Sequence, residues 1–289
     1  MILVTGATGV VGREVVAQLL DAGQDVRALT RDADHALPLG PQVKVVTGDL
    51  GVPESLAPAL AGVEQVFLLT GGGPETPLHD ANLAEAALTA GVRHIVKLSI
   101  IGAEYGFQDL VSSWHLAGER AVAQVGERPD GPAWTFLRPG EFMSNARLWA
   151  APIKARDTVF WPHGDVEVAV IDPRDVACAA VTALTTSGHE GRTYRIGGPE
   201  ALSTAARVEK LAAALGRPLR LVDVSIADAR DGAVRAGRQA LVVETTLGNL
   251  GRPEFQQHAR KVLPAYTELT GKAPRTFDQW TADHLHLFR

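Results

Sequence analysis

Gly6-Ala7-Thr8-Gly9-Val10-Val11-Gly12 follows Ile2-Leu3-Val4-Thr5 without a break and leads into Val15, Val16, Leu19 and Leu20. The apolar residues before the glycines read as a buried strand, and those after them recur at helical spacing. Glycines spaced this way between a strand and a helix have a physical use. Gly6 permits a tight turn, Gly9 lets the backbone approach a pyrophosphate, and Gly12 lets helix and strand pack closely. The helix then opens with N–H groups that lack partners and with the positive end of its dipole, and both favour phosphate. The order strand, turn, helix separates the stretch from a chance cluster of glycines. It predicts a dinucleotide turn built from Gly6, Thr8, Gly9, Val10, Val11 and Gly12.

Outward from this turn the same rhythm continues. Short β-rich runs at 26–29, 43–46, 63–69, 94–99 and 135–138 alternate with amphipathic helical runs, and Gly23, Gly62 and Gly91 stand where those helices should end. Strands alternating with helices imply parallel pairing through right-handed crossovers, hence an α/β fold with a Rossmann-type doubly wound parallel sheet. After Pro139 the pattern loosens around Pro152, Pro162 and Pro173. A strand at 166–171, a helix at 175–184 and a strand ending at Ile196 follow, and Ser203 is placed to cap a further helix. We therefore expect a dinucleotide-binding core over 1–140, rejoined by 164–198. A smaller, mainly helical substrate lobe should comprise 141–163 and 199–289.

Composition narrows the function. The 289 residues are 46% hydrophobic and 21% charged, with a formal net charge of −5. That balance suits a globular protein and argues against a nucleic-acid partner, which would require a basic stripe to displace counterions from phosphates. The one cysteine, Cys178, excludes an intrachain disulfide, and its apolar surroundings predict a buried small side chain rather than a nucleophile. No run approaches the roughly 20 apolar residues required to span a bilayer, and the first residues do not resemble a signal peptide. The expected setting is the cytoplasm, without a membrane partner; the sequence leaves oligomerisation open. The histidines show no H-x-x-x-H or H-E-x-x-H spacing, so no metal site is expected.

Leu29-Thr30-Arg31-Asp32 ends the second strand. An acid there would accept from the ribose 2′-OH of NAD, whereas an arginine suits the 2′-phosphate of NADP. Arg31 takes the position where a guanidinium could grip a phosphate, so NADP(H) is favoured; Asp32, one residue on, keeps NAD(H) possible. Asp49 and Leu50 follow the third strand, within reach of an adenine edge. Leu69, Thr70, Gly71 and Gly72 end the fourth, where glycines allow a ligand close to the backbone.

The segments Gly48-Asp49-Leu50, Lys97-Leu98-Ser99, Leu137-Arg138-Pro139-Gly140 with Phe142-Met143-Ser144-Asn145, Asp172-Pro173-Arg174-Asp175-Val176-Ala177 and Pro274-Arg275-Thr276-Phe277-Asp278-Gln279-Trp280, together with the glycine turn, resemble the NmrA-like branch of the atypical short-chain dehydrogenases/reductases. That branch includes NADPH-dependent quinone and azo-dye reductases, tailoring reductases, and cofactor-binding regulators without demonstrable catalysis. The resemblance implies the cofactor more directly than the reaction. It adds Ser99, Pro139 and Phe142 to the expected cofactor contacts.

Short-chain dehydrogenases usually pair a Tyr with a Lys four residues later, the Tyr giving a proton to the substrate carbonyl. Here Ser99 could match their Ser; if His115 and Glu119 take the Tyr and Lys positions, the standard pair is missing. His115 could protonate a reduced oxygen, with Glu119 one turn away to hold the imidazole or raise its pKa; alternatively it is only a polar neighbour of the cofactor. Phe142, Met143, Trp149, Phe160 and Trp161, with Gly72, could offer a flat aromatic substrate its contacts, or could simply pack between lobes. The reading is an NADPH-dependent reductase of a quinone-like or conjugated aromatic small molecule. An NADP(H)-sensing regulator and a tailoring ketoreductase or isomerase are the alternatives.

Overall fold

The structure is a computed structural model that describes residues 1–34, 39–105 and 109–289. Its strands are β1 (Ile2–Val4), β2 (Val26–Thr30), β3 (Lys44–Thr47), β4 (Gln65–Leu68), β5 (His94–Leu98), β6 (Ala133–Pro139), β7 (Thr158–Phe160), β8 (Glu167–Val168), β9 (Arg192–Ile196), β10 (Leu202–Ser203) and β11 (Arg220–Val222). The first helices are α1 (Val10–Asp21), α2 (Leu56–Leu60), α3 (Thr76–Thr89), α4 (Gly102–Tyr105) and α5 (Leu110–Gly126).

The chain divides into two compact units. The first comprises 1–139, 173–196 and 265–271; the second comprises 140–172, 197–264 and 272–289. In the first, seven strands form a sheet in the order β3-β2-β1-β4-β5-β6-β9. Every neighbouring pair is parallel. The strand order runs outward from β1 in both directions, which places a crevice at the carboxyl ends of β1 and β4, the usual place for a ligand in such sheets. Leu3, Leu56, Leu60, Val66, Leu68, Leu83, Ile95 and Val122 fill the core around the sheet. Gly23, Gly62 and Gly91 take positive φ beyond α1, α2 and α3.

The second unit has its own core, in which Trp149, Trp161, Val208, Leu211, Phe277, Trp280 and Phe288 meet. Two small sheets accompany its helices, β7 paired with β11 and β8 with β10. Thr276 caps the helix Phe277–His284 in a reciprocal arrangement with Gln279, and Ser203 caps Thr204–Leu215.

Two expected boundaries are corrected. Segment 164–172 belongs to the second unit rather than rejoining the main sheet. Ala169 N–H donates to Ala259 C=O and Val170 N–H to Val168 C=O, so the backbone bends away after Val168 and only two residues pair, with β10. Segment 265–271, expected in the substrate lobe, joins the first unit instead. Its Tyr266 is buried, and the hydroxyl donates to Asp175 at 3.2 Å. Cys178 is half-buried, not enclosed.

Helices α3 and α5 pack together on one face of the sheet, and Gly118 of α5 sets how closely. A Cβ on Gly118 would stand 1.9 Å from Oδ2 of Asp80, a fully buried residue of α3. Alanine in a helix interior is normally the better residue by about 0.5–1 kcal/mol. Here the clash reverses that preference. Gly118→Ala is expected to destabilise the protein by about 1–3 kcal/mol, read as a lower urea midpoint with an unchanged denaturant slope.

Candidate functional site

β1 delivers the chain into the glycine turn. Gly6 takes φ +60°, and Gly9 N–H donates to Gly6 C=O at 3.0 Å. A Cβ on Gly12 would stand 2.1 Å from the Gly6 oxygen and 2.9 Å from the Ala7 Cα, so α1 lies directly on the turn and any larger residue at 12 would push it off. No side chain caps α1, and its first turn holds no acid. Its leading amides, with the dipole behind them, are thus open to an anion. Thr8, Gly9 and Val10 are at the surface, with Val11 and Gly12 buried beneath them. This cradle fits a dinucleotide diphosphate.

The loop after β4 is locked to the same turn. Thr5 Oγ1 donates to Leu69 C=O and accepts from Leu69 N–H, both at 2.8 Å. Leu69, Gly71 and Gly72 remain accessible while Thr70 is buried. At the end of β2, Thr30 Oγ1 donates to Asp32 C=O at 2.8 Å. Asp32 Oδ1 accepts from Asp34 N–H, so its carboxylate is engaged in its own turn, and Arg31 is exposed beside it. Asp49 behaves like Asp32: its Oδ1 accepts from Gly51 N–H at 2.8 Å, and Leu50 C=O is held by Asn82.

Beneath the Gly71-Gly72 loop lies a buried polar cluster. Lys97, near the carboxyl end of the interior strand β5, places Nζ 2.7 Å from Asp80 Oδ2, and neither side chain is exposed at all. Burial, the larger influence, pushes the Asp80 carboxyl up, while the charge and hydrogen bond of Lys97 work against it. Ser99, just past β5, buries a hydroxyl that has no hydrogen-bond partner among the described residues. His115 of α5 is 6% exposed and faces the loop, its Nε2 lying 3.8 Å from where a Cβ on Gly72 would stand. Its Nδ1 is buried without a partner among the described residues.

Burial first, and the Lys97 charge second, lower the His115 pKa to about 3. The imidazole is therefore neutral at physiological pH. Glu119 neither holds nor charges it, contrary to what helical spacing suggests. Glu119 is instead bound by two parallel donors on one edge of the Arg138 guanidinium from β6, Nε to Oε1 at 2.9 Å and Nη2 to Oε2, while Nη1 reaches Glu104. The fork geometry of arginine suits such a two-point grip.

The residues expected to touch substrate from beyond β6 are distributed differently. Pro139 ends β6, and its C=O accepts from Ile101 N–H. Phe142 is half-buried and bridges to Ile171. Met143 and Trp149 are enclosed in the core of the second unit, Trp149 edge-on to Trp161 at 5.9 Å and beneath the Arg207 guanidinium. Their side chains pack inside that unit. Trp161 is largely buried with them, and Phe160 is half-buried under Arg156. Sequence reasoning missed Asp80 and Arg138 as site residues, and it quoted Lys97 without giving it a role. An acid on an α3 face and a lysine in a buried strand were the available signal.

A family model described as NAD(P)H-binding matches residues 6–187. The chain is 43% identical over 289 residues to the (4-alkanoyl-5-oxo-2,5-dihydrofuran-3-yl)methyl phosphate reductase of Streptomyces griseus, covering 100% of this chain and 99% of that protein. It is 36% identical over 291 residues to the NAD(P)H azoreductase of Xenophilus azovorans, with coverage of 100% and 99%. The crystal structure of the Citrobacter sp. triphenylmethane reductase complexed with NADP(H) superposes with a TM-score of 0.81 at 26% identity, covering 98% of this chain and 99% of that one. With a glycine turn shaped for a diphosphate and this match across most of its main sheet, the chain belongs to the NAD(P)H-binding family.

Proposed function

We propose that the protein is an NADPH-dependent reductase of small conjugated electrophiles, quinone-like or otherwise unsaturated molecules that take a hydride and leave the added charge delocalised. The observation that carries this reading is the neutral, buried imidazole of His115 next to the nucleotide loop, where most short-chain dehydrogenases keep a tyrosine and lysine pair. Such a site has no strong acid at neutral pH. It suits acceptors whose reduced form needs little protonation at the moment of transfer, and it handles an isolated ketone poorly. The relatives fit this chemistry. One is named for an alkene conjugated with a lactone and an acyl carbonyl, one for azo reduction, and one for a triphenylmethane dye.

When bound, the dinucleotide supplies the hydride. The chain's own part is to bind and orient. The amides of Val10, Val11 and Gly12 would hold the diphosphate, and Arg31 the 2′-phosphate. Ser99 and His115 Nε2 would face the reacting end as neutral hydrogen-bond partners, and the Gly71-Gly72 turn admits a flat ring close to the backbone. The engagement of the Asp32 carboxylate within its own turn supports Arg31 as the residue that meets the ribose. A phosphate gripped by one guanidinium contributes about 1.5–3 kcal/mol.

Three outcomes are expected. Arg31→Ala should weaken NADPH binding by roughly tenfold or more, and NADH binding by no more than about twofold, in calorimetric titrations of both cofactors. Steady NADPH oxidation should appear with quinones, azo compounds and doubly activated alkenes but not with simple ketones. Tight NADPH binding without turnover on any of them would overturn the reductase reading in favour of a sensor. The third outcome concerns pH. The His115 imidazole binds its proton more weakly folded (pKa about 3) than in an unfolded chain (6.5), so its contribution to stability is whole above pH 6.5 and is lost as pH falls towards 3. His115→Gln should flatten the loss of stability across that window by up to about 1.4 kcal/mol per pH unit, measured by urea unfolding at successive pH values.

A further inference from the structure

The reductase reading places Ser99 and His115 at the reacting end but gives no task to Arg138. Ser99 follows β5 and His115 belongs to α5, and Arg138 of β6 is attached to the carriers of both. Ser99 N–H donates to Leu137 C=O at 2.8 Å, and Ile101 N–H to Pro139 C=O at 2.9 Å. The chain beyond β5 is thus bonded to the two residues that flank Arg138. The guanidinium makes the remaining attachments. Nη1 reaches Glu104 in α4, five residues past Ser99, while Nε and Nη2 grip Glu119 in α5, one helical turn past His115.

The grip on Glu119 is nearly enclosed, with side-chain exposures of 12% for Arg138 and 3% for Glu119. Such a pair adds little to stability over apolar residues of the same volume. Its fork, however, fixes direction as well as distance, because three donors of one planar group meet two carboxylates. Arg195 of β9 also approaches Glu104, at 3.5 Å. The backbone of α4 lies directly on the start of α5: a Cβ on Gly102 would stand 2.2 Å from Ser112 Oγ. Asp109, the cap of α5, accepts from that hydroxyl at 2.7 Å and from the Ser112 amide at 2.8 Å. Ser112 and His115 are three residues apart in the helix, hence on one face. The segment that leaves Ser99 therefore bears on the face of α5 that carries His115.

We propose that Arg138 is a positioning residue: it locks the segment carrying Ser99 and the helix carrying His115 into one register, through Glu104 in the first and Glu119 in the second. The service this does to hydride transfer rests on the reductase reading; the locking itself does not. Lysine at 138 would keep the positive charge, but one nitrogen without a planar fork cannot reproduce both attachments. It would satisfy the buried Glu119 and lose the register with α4.

The test compares the full wild-type chain with Arg138→Lys, and with Glu104→Gln, which loosens only the more exposed attachment and so guards against a first variant that does not fold. Without cofactor, NMR follows the His115 ring protons, assigned by comparison with His115→Gln, and exchange of the Ser99 and Ile101 amide hydrogens. In Arg138→Lys the ring signals should move and both amides should exchange roughly tenfold faster or more, while amides of β1 and α1 keep their wild-type rates. Glu104→Gln should change the same signals in the same direction by a smaller amount. With NADPH and menadione, kcat of Arg138→Lys should fall by about tenfold or more, while the calorimetric Kd for NADPH stays within about twofold. An ion pair that is merely structural would lower Tm and leave kcat of the folded enzyme unchanged. Wild-type ring signals and amide exchange in folded Arg138→Lys, or in Glu104→Gln if the lysine variant does not fold, would overturn the locking. Altered signals with wild-type kcat would overturn the positioning role. Failure of wild type to oxidise NADPH would remove the reductase reading, and the locking would then be decided by the cofactor-free measurements alone.

Discussion

The close approach of α1 to the chain that precedes it governs the rest of the structure. With no Cβ at Gly12, the first turn of the helix lies against the Gly6 carbonyl, where a methyl would be 2.1 Å away. That contact aims the leading amides of α1 at one small region of surface, just past the carboxyl ends of β1 and β4. The crevice exists because strand order reverses at β1, and the glycines let that crevice be used. The two Thr5–Leu69 hydrogen bonds then carry the geometry across to the next loop, and through Gly72 to His115.

This first layer was legible in the sequence because its physics is local. A turn that requires positive φ at Gly6, a helix that starts four residues later and a strand of apolar residues before it are all written within a dozen positions. Parallel order followed from the alternation of strands and helices. What escaped is non-local. Glu119 stands one turn from His115 on the same helix, and helical spacing makes that pairing look natural. Arg138 arrives from β6, offers two parallel donors and takes the carboxylate instead. Nothing in the helix announces this, since the competitor lies in another element. Lys97 sat in a segment quoted for its resemblance alone, and Asp80 showed only as an acid on a helical run, its partner lying in another element.

The misread strand at 166–171 has a similar origin. Its apolar run does suit a strand, but a strand is defined by what it pairs with. Ala169 is bonded to Ala259 and Ile171 to Glu141, so the segment is divided among three neighbours and only Glu167 and Val168 remain in a ladder. For Trp149 and Met143 the sequence left two roles open, contact with a flat ligand or packing. Composition does not distinguish an aromatic that faces a ligand from one that fills a core. In the second unit the core prevailed, with Arg207 drawn in over Trp149 as well.

The polar cluster bears on why a reductase would give up the tyrosine and lysine of its larger superfamily. Those residues work as an acid made stronger by a neighbouring cation, which is useful when hydride transfer creates a localised alkoxide. In this chain a cation also lies behind the proton-bearing group, but the group is an imidazole, and a cation next to an imidazole makes it harder to charge. The same electrostatic arrangement therefore has the opposite chemical effect. It sharpens an acidic phenol, whereas it adds to the burial that keeps this histidine neutral, with no full proton to give at pH 7. An acceptor that spreads its new charge over a ring or a conjugated carbonyl loses little by this. A simple ketone loses most of the assistance it requires. Substrate class, on this argument, follows less from the shape of the pocket than from the protonation state that burial, with the Lys97 charge second to it, allows the imidazole to hold.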